Sequence, residues 1–179
     1  MTTLYPHAAI ALLALAAPVL AQKPSGKPEA QKRSACQLVS LEEITKLTGK
    51  GPLEINPSAS GPDGATDYCS RRVKGSEATV IEMGIENLDV PDLAEQVAGR
   101  QSTDVRVAAK FKLRKIQAFS DPPEPAAVPG LGDEALYRDF QRAKGGALLV
   151  RRGSRLFSCS GGVSKDAYIG LAKLILQRW

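Results

Sequence analysis

Apolar and polar residues alternate along two parts of the chain that are each interrupted by a short turn. Residues 67–86 alternate on both sides of a Lys-Gly-Ser-Glu turn at 74–77, and residues 147–160 alternate around a Gly-Ser turn at 153–154. A period of two places successive side chains on opposite faces of a strand, and short links containing Gly favour hairpins. We predict two β-hairpins here, and a further strand over residues 134–140.

Helical spacing of apolar residues marks two other segments. The tetrapeptide from Ser40 to Glu43 has the sequence of a capping box, and Gly49 supplies a stop, so a short helix is predicted over residues 41–48. Ser164 precedes a segment whose apolar residues recur every three or four positions to the end of the chain, which predicts a capped terminal helix.

The middle of the chain gives weaker patterns. Residues 91–101 begin with a proline and share an apolar face, which favours helix, while residues 50–65 are rich in Gly, Pro, Ser and Asn and predict a loop. Residues 105–113 alternate as a strand does, but their Ala, Lys and Arg content favours helix. We favour helix over residues 104–119 and keep a strand as the alternative. The predicted fold is α+β, a single domain with an antiparallel sheet of about five strands and helices packed on it.

An uncharged apolar run over residues 8–20 ends in Val-Leu-Ala, which suits a signal peptidase. The run is shorter than the roughly 20 apolar residues that cross a bilayer. We therefore expect a signal peptide at 1–21, a flexible basic leader at 22–35 and the domain at 36–179, with an uncleaved anchor or a buried helix as the alternative. Export would place the protein in the periplasm or outside the cell, with no stable membrane anchor after cleavage.

Charge and histidine content exclude several functions. The net charge is +5, but the leader holds four cations and one acid, so the predicted domain carries only +2 with both signs interspersed. Nucleic-acid binding, which needs clustered cations, is not expected. The only histidine is His7, inside the predicted signal. Histidine-based triads, zinc sites and acid-base catalysis are therefore excluded from the mature chain, and no catalytic residue, metal site or cofactor is predicted.

Two glycine motifs are interpreted as backbone structure. The string beginning Gly130-Leu131-Gly132 matches a dinucleotide-binding pattern, but it follows a proline-rich loop and precedes a predicted strand, so we interpret it as a turn. Residues 160–165 open the terminal helix and lack the spacing of a phosphate loop. A helix start is favoured there over an anion site.

The three cysteines of the chain all fall inside the predicted domain. In an oxidising compartment we expect a disulfide between Cys36 and Cys69, which would join the start of the domain to its first predicted strand. Cys159 is then left as a small buried hydrophobic residue in preference to a reactive thiol.

Five arginines lie near the predicted hairpin tips. Arg71 and Arg72 belong to the first hairpin, and Arg151, Arg152 and Arg155 belong to the second. If the two tips lie together, these arginines would form an anion-binding surface, because guanidinium groups suit carboxylate and phosphate. The alternative is a solvated sheet edge that is protected by charge.

The order of these motifs resembles a broad group of small exported bacterial proteins. The resemblance rests on Cys36 before a short capped helix, Tyr68-Cys69 opening a strand, the segment Val128 to Ala135, and Leu149 to Gly153 before a terminal helix. The group comprises actinobacterial cell-envelope lipoproteins of unknown function, similar in fold to the extracellular sensor domain of mycobacterial Ser/Thr kinases. The lipid-attachment cysteine of many members is absent here. The resemblance implies an α+β domain with a disulfide and no established activity.

Taken together, the sequence predicts an exported, non-catalytic envelope protein that binds a ligand or a protein partner. The expected partner is an unidentified envelope component, which the arginines suggest is anionic. A small histidine-independent envelope enzyme is the alternative.

Overall fold

A computed structural model describes five stretches of the chain between residues 35 and 179. The stretches are residues 35–60, 66–75, 79–91, 102–141 and 143–179. The predicted signal peptide, the predicted leader apart from its last residue, and nearly all of the predicted helix at 91–101 lie outside them. That last residue, Ala35, is buried and begins the first helix, so the domain starts one residue earlier than predicted.

Seven strands of the described residues form one sheet in which every pair is antiparallel. They are β1 (Leu53–Ser60), β2 (Thr66–Val73), β3 (Thr79–Asn87), β4 (Ala126–Ala127), β5 (Glu134–Asp139), β6 (Gly146–Arg152) and β7 (Arg155–Gly161). Their order across the sheet is β1-β2-β3-β7-β6-β5-β4. The α+β class, both hairpins and β5 are therefore confirmed, whereas the predicted number of about five strands is wrong.

The two additional strands are β1 and β4, which form the edges of the sheet. Residues 50–65 were predicted as loop, but β1 obtains backbone hydrogen-bond partners from β2, and this pairing overrides the local preference for turns. The register of the pair shifts between Asn56 and Ala59, on either side of Pro57. Proline has no N–H to donate, and an edge strand accommodates it better than a central strand.

The described chain contains four helices, of which the first was not predicted and the other three follow the predicted boundaries closely. They are α1 (Ala35–Leu38), α2 (Leu41–Thr48), α3 (Thr103–Ala118) and α4 (Lys165–Arg178). The predicted capping box is confirmed, with the Glu43 backbone N–H donating to Ser40 Oγ at 3.2 Å. Ser164 caps α4 as predicted, and the ambiguous segment at 104–119 is helical. Within the described residues, no helix has the length and apolar character needed to cross a membrane.

The sheet is the middle of three layers. Helices α1, α2 and α4 pack on one face, around buried residues such as Leu148 and Phe157, and α3 packs on the other face against Leu149 and Leu156. Residues 147–150 are apolar at every position because the middle of β6 is covered on both faces.

The hydroxyl of Tyr168 connects α4 to the paired ends of β6 and β7. It lies 2.6 Å from the carbonyl oxygen of Gly161 and 2.8 Å from that of Gly146, and it accepts from the Gly146 N–H at 3.3 Å. Burial raises the pKa of Tyr168 to about 12, so the hydroxyl stays protonated. Gly145 lets the start of β6 lie close to the end of β7, since a Cβ at this residue would lie 1.8 Å from the Gly161 carbonyl oxygen.

Candidate functional site

The α3 face of the sheet carries small side chains where the helix does not cover it. The strand register aligns Tyr68, Gly84, Ser158 and Leu149 in one row across four strands. The next row contains Glu82, Ser160 and Ala147 on the same face. Glycine, serine and alanine leave the sheet surface low at this place, and a concave floor results.

Two aromatic side chains border this floor and make it a groove of about 280 Å³. Tyr68 is 49% exposed, and its ring lies over the backbone of Gly84, where an added Cβ would come within 2.8 Å of Cε1. Phe140, which directly follows β5, and Ala118, the last residue of α3, also line the groove. A half-exposed aromatic ring that is backed by glycine presents a preformed flat surface.

The polar groups of the groove suit hydrogen bonding better than covalent catalysis. Glu82, Ser158 and Ser160 line it. Cys159 also borders it, but burial raises the pKa of this thiol well above its usual range, which disfavours the nucleophilic thiolate. In the stretches of chain that the structure describes, no group of three His, Cys, Asp or Glu side chains is placed to hold a metal ion.

A second, larger cleft of about 470 Å³ lies nearby and shares Phe140 with the groove. Its cation, Arg138, is already engaged: the guanidinium donates to the carbonyl oxygens of Asp121 and Ala118 and lies 5.3 Å from the Phe119 ring centroid. These contacts hold the loop after α3 against β5. We therefore assign this arginine a structural role.

Arg71 does not belong to a surface. It is 0% exposed, and its Nη2 donates to the Val39 carbonyl oxygen at 3.4 Å. Alternation along β2 explains this position, because Arg71 shares a strand face with Cys69, which is also buried. The prediction that Arg71 faces solvent is wrong, and the same alternation was visible in the sequence.

The two hairpin tips lie at opposite ends of the sheet, so the predicted convergence of five arginines is wrong. On β3, Ile81 pairs with Arg71 of β2, and Asn87 pairs with Arg155 of β7. Six residues of strand separate these positions, a distance of about 20 Å. The first tip turns at one end of the shared strand and the second tip at the other.

The remaining arginines make contacts inside the domain. Arg72 pairs with Glu54, and Arg151 lies 3.5 Å from Asp133 and 5.6 Å from the Phe111 ring centroid. At the second tip, Arg152 donates to the Leu176 carbonyl oxygen at 2.9 Å, and Arg155 lies 5.9 Å from the Trp179 ring centroid. Arg152 and Arg155 are both exposed.

The cysteines fall into two environments. Cys159 carries a free thiol and is 4% exposed, as expected of a small buried hydrophobic residue. Cys69 is 2% exposed. The side chain of Cys36 lies outside the described part of the chain, so its pairing with Cys69 stays a prediction. The packing of α1 against β2 is compatible with that pairing.

Both glycine motifs have backbone roles. Gly130 and Gly132 adopt positive φ angles of 75° and 68°, and β5 follows them, which confirms a turn. After β7, the chain enters α4, and the carbonyl of Gly162 accepts from Lys50 Nζ at 2.5 Å.

The groove was missed in the sequence because its residues come from four strands, the end of a helix and a loop. Its signal, small residues at alternate positions of 158–160 and at Gly84, gains meaning only once the register is known. Comparison of the chain with protein-family models, with curated proteins and with solved structures finds no match.

Proposed function

We propose that the protein is an exported, non-catalytic binding protein of the cell envelope, and that the groove on the α3 face of the sheet holds its ligand. The observation that carries this proposal is the row of small side chains between Tyr68 and Phe140. The groove has a volume of about 280 Å³, which is close to the lower end of the range for small-molecule sites, roughly 300 to 1,000 Å³.

The lining defines the class of ligand. The exposed face of Tyr68 suits a flat apolar or aromatic group, and Ser158 and Ser160 suit a polar substituent on that group. Glu82 favours a substituent that donates hydrogen bonds or carries positive charge. A free small molecule and an aromatic side chain of a protein partner share this chemistry.

The proposal is tested with the neutral fluorescent probe N-phenyl-1-naphthylamine. We expect a saturable rise in its fluorescence with the parent protein, and an affinity about fivefold lower for Tyr68→Ala because a stacking face is lost. Ser158→Leu should also weaken binding because the side chain fills the floor. Leu113→Ala is the matched control, since Leu113 has the same 49% exposure and lies on the outer side of α3.

Equal affinity in the parent, Tyr68→Ala and Ser158→Leu would rule out the groove as the binding site. Conversion of captured envelope material to a new product would support the small histidine-independent enzyme instead. Export is tested separately: a native N-terminus at or near Gln22 is expected, and a mature pool that retains Met1 would contradict it.

An anionic envelope component remains the proposed partner. Of the five predicted arginines, Arg152 and Arg155 support this part of the proposal best, because both are exposed at the tip between β6 and β7. Capture of anionic envelope material should weaken as salt rises and should fall in the double variant Arg152→Ser/Arg155→Ser. Capture that is unchanged in this variant would remove these arginines from the proposal.

A further inference from the structure

Helix α3 has apolar residues on two opposite sides. Its inner side contributes Val107 and Phe111 to the core at 8% and 6% exposure. Its outer side carries a second line of apolar residues at helical spacing, and all of them are exposed. This outer stripe consists of Val105, Ala109, Leu113 and Ile116, of which Val105 and Ile116 are each 56% exposed.

The outer stripe is too small to form a stable protein interface alone. Eleven residues of helix separate its ends, so it is about 17 Å long and about 10 Å wide, or roughly 170 Å². A stable interface buries about 800 Å² on each partner. A single convex helix face is, in contrast, sufficient for shallow insertion at a lipid surface.

The charges around the outer stripe select the kind of surface. Arg106 and Arg114 are neutralised on the inner side, where Arg106 lies 2.6 Å from Asp89 and Arg114 contacts both carboxylate oxygens of Glu86. Lys112 is exposed within the stripe, between Ala109 and Ile116. Lys115 lies at its margin and is partly exposed.

Two consequences follow from these lysines. Because Lys112 sits among the apolar residues, a second copy of α3 packed on the stripe would bring like charges together, which disfavours self-association. Anionic headgroups complement the same lysines, and each Lys near such a surface strengthens binding. We propose that the outer stripe of α3 docks on the surface of an anionic lipid bilayer, independently of the groove.

The test uses the full chain with a single environment-sensitive NBD label on Leu113→Cys. The matched control carries the label on Lys173→Cys, because Lys173 is exposed on α4, which packs on the opposite face of the sheet. Both proteins are titrated with vesicles of phosphatidylcholine, with or without phosphatidylglycerol. A local label is required because the apolar run at 8–20 can itself bind lipid and would dominate a sedimentation assay.

We expect the label at position 113 to shift to shorter wavelength on anionic vesicles and to be quenched by spin-labelled lipid, with no such response at position 173. Lys112→Gln should weaken this response about fivefold on anionic vesicles. Val105→Ser/Ile116→Ser should weaken it about tenfold. Far-UV circular dichroism checks that these exposed substitutions preserve the fold.

Three results would overturn the proposal. One is the same response at positions 113 and 173, and another is a response on phosphatidylcholine alone that equals the response on anionic vesicles. The third is concentration-dependent dimerisation without lipid that Val105→Ser/Ile116→Ser abolishes, because the stripe would then be an interface between two copies of the chain.

Discussion

Removal of one hydroxyl group, by Tyr168→Phe, should destabilise the domain measurably. The ring of Tyr168 is fully buried, so the substitution preserves the apolar packing of α4 on the sheet. It deletes only the hydroxyl that contacts the carbonyl oxygens of Gly146 and Gly161 and the N–H of Gly146. The structure therefore isolates the energetic effect of a polar contact at the junction of two strands and a helix.

The expected size of the effect is about 2 kcal/mol. A typical intramolecular hydrogen bond contributes about 1 kcal/mol, and leaving a buried polar group without its partner costs about 1 to 3 kcal/mol. Gly146 is buried and Gly161 is partly buried, so water replaces the lost hydroxyl poorly. For a domain of this size, a loss of about 2 kcal/mol lowers Tm by about 4 to 8 °C.

Urea denaturation, followed by circular dichroism at neutral pH, measures this loss. The midpoint should fall while the m-value stays constant, because the surface exposed on unfolding does not change. Tyr68→Phe is the matched control: Tyr68 is half exposed, and loss of its hydroxyl should change stability by less than about 0.5 kcal/mol. If Tyr168→Phe is as stable as Tyr68→Phe, the contact between hydroxyl and strand ends does not stabilise the fold.

Three further predictions concern other parts of the domain. Gly145→Ala should lower the free energy of unfolding, measured by urea denaturation, by more than about 2 kcal/mol, because φ is 115° at this residue and the added Cβ would meet the Gly161 carbonyl. Gly153→Ala is the control and should cost only about 1 kcal/mol, because the space around Gly153 is open. Equal losses in the two variants would contradict this reasoning. Hydrogen bonds from Arg178 first, and then from Ser40, lower the pKa of Glu43 from 4.5 to about 2. The resulting stabilisation is present above pH 4.5 and is lost as pH falls toward 2. The free energy of unfolding should therefore depend less on pH between 4.5 and 2 in Glu43→Gln than in the parent. The difference between the two proteins should be small, because solvent screens the partly exposed side chains of Glu43 and Arg178. Alkylation of the native protein should leave Cys159 unmodified, and alkylation after unfolding should add one label. Reduction of the unfolded protein should then release two more thiols, from Cys36 and Cys69. Labelling of Cys159 in the native protein would contradict its burial.

Elements whose signals are local were predictable from the sequence. The capping box at Ser40, the cap at Ser164 and the turn at Gly153 each combine a residue type with a fixed spacing, and the structure confirms all three. Strand β1 was not predictable in this way, because its stability depends on pairing with β2, which is separate from it in the sequence. The groove depends on the register of four strands, which alternation within any one strand does not specify.

The strand-like alternation of residues 105–113 has a physical explanation in the structure. Inner residues Val107 and Phe111 and outer residues Val105 and Leu113 are all apolar, so two helical stripes together mimic a period of two. For Arg71 the misleading signal is its charge, which suggests exposure, whereas its position two residues after Cys69 places it on the buried face of β2. Alternation was the better guide there.

The two edges of the sheet constrain how other molecules can approach the domain. A flat edge strand invites a foreign strand to extend the sheet, and this is a common route to aggregation and to peptide capture. Here one edge strand, β4, has only two residues, and the other, β1, contains Pro57 at the position where its register shifts. Strand addition is therefore discouraged at both margins, and productive encounters are directed to the faces and helices of the domain. A domain built in this way can be concentrated on a surface with little tendency to polymerise through its own sheet.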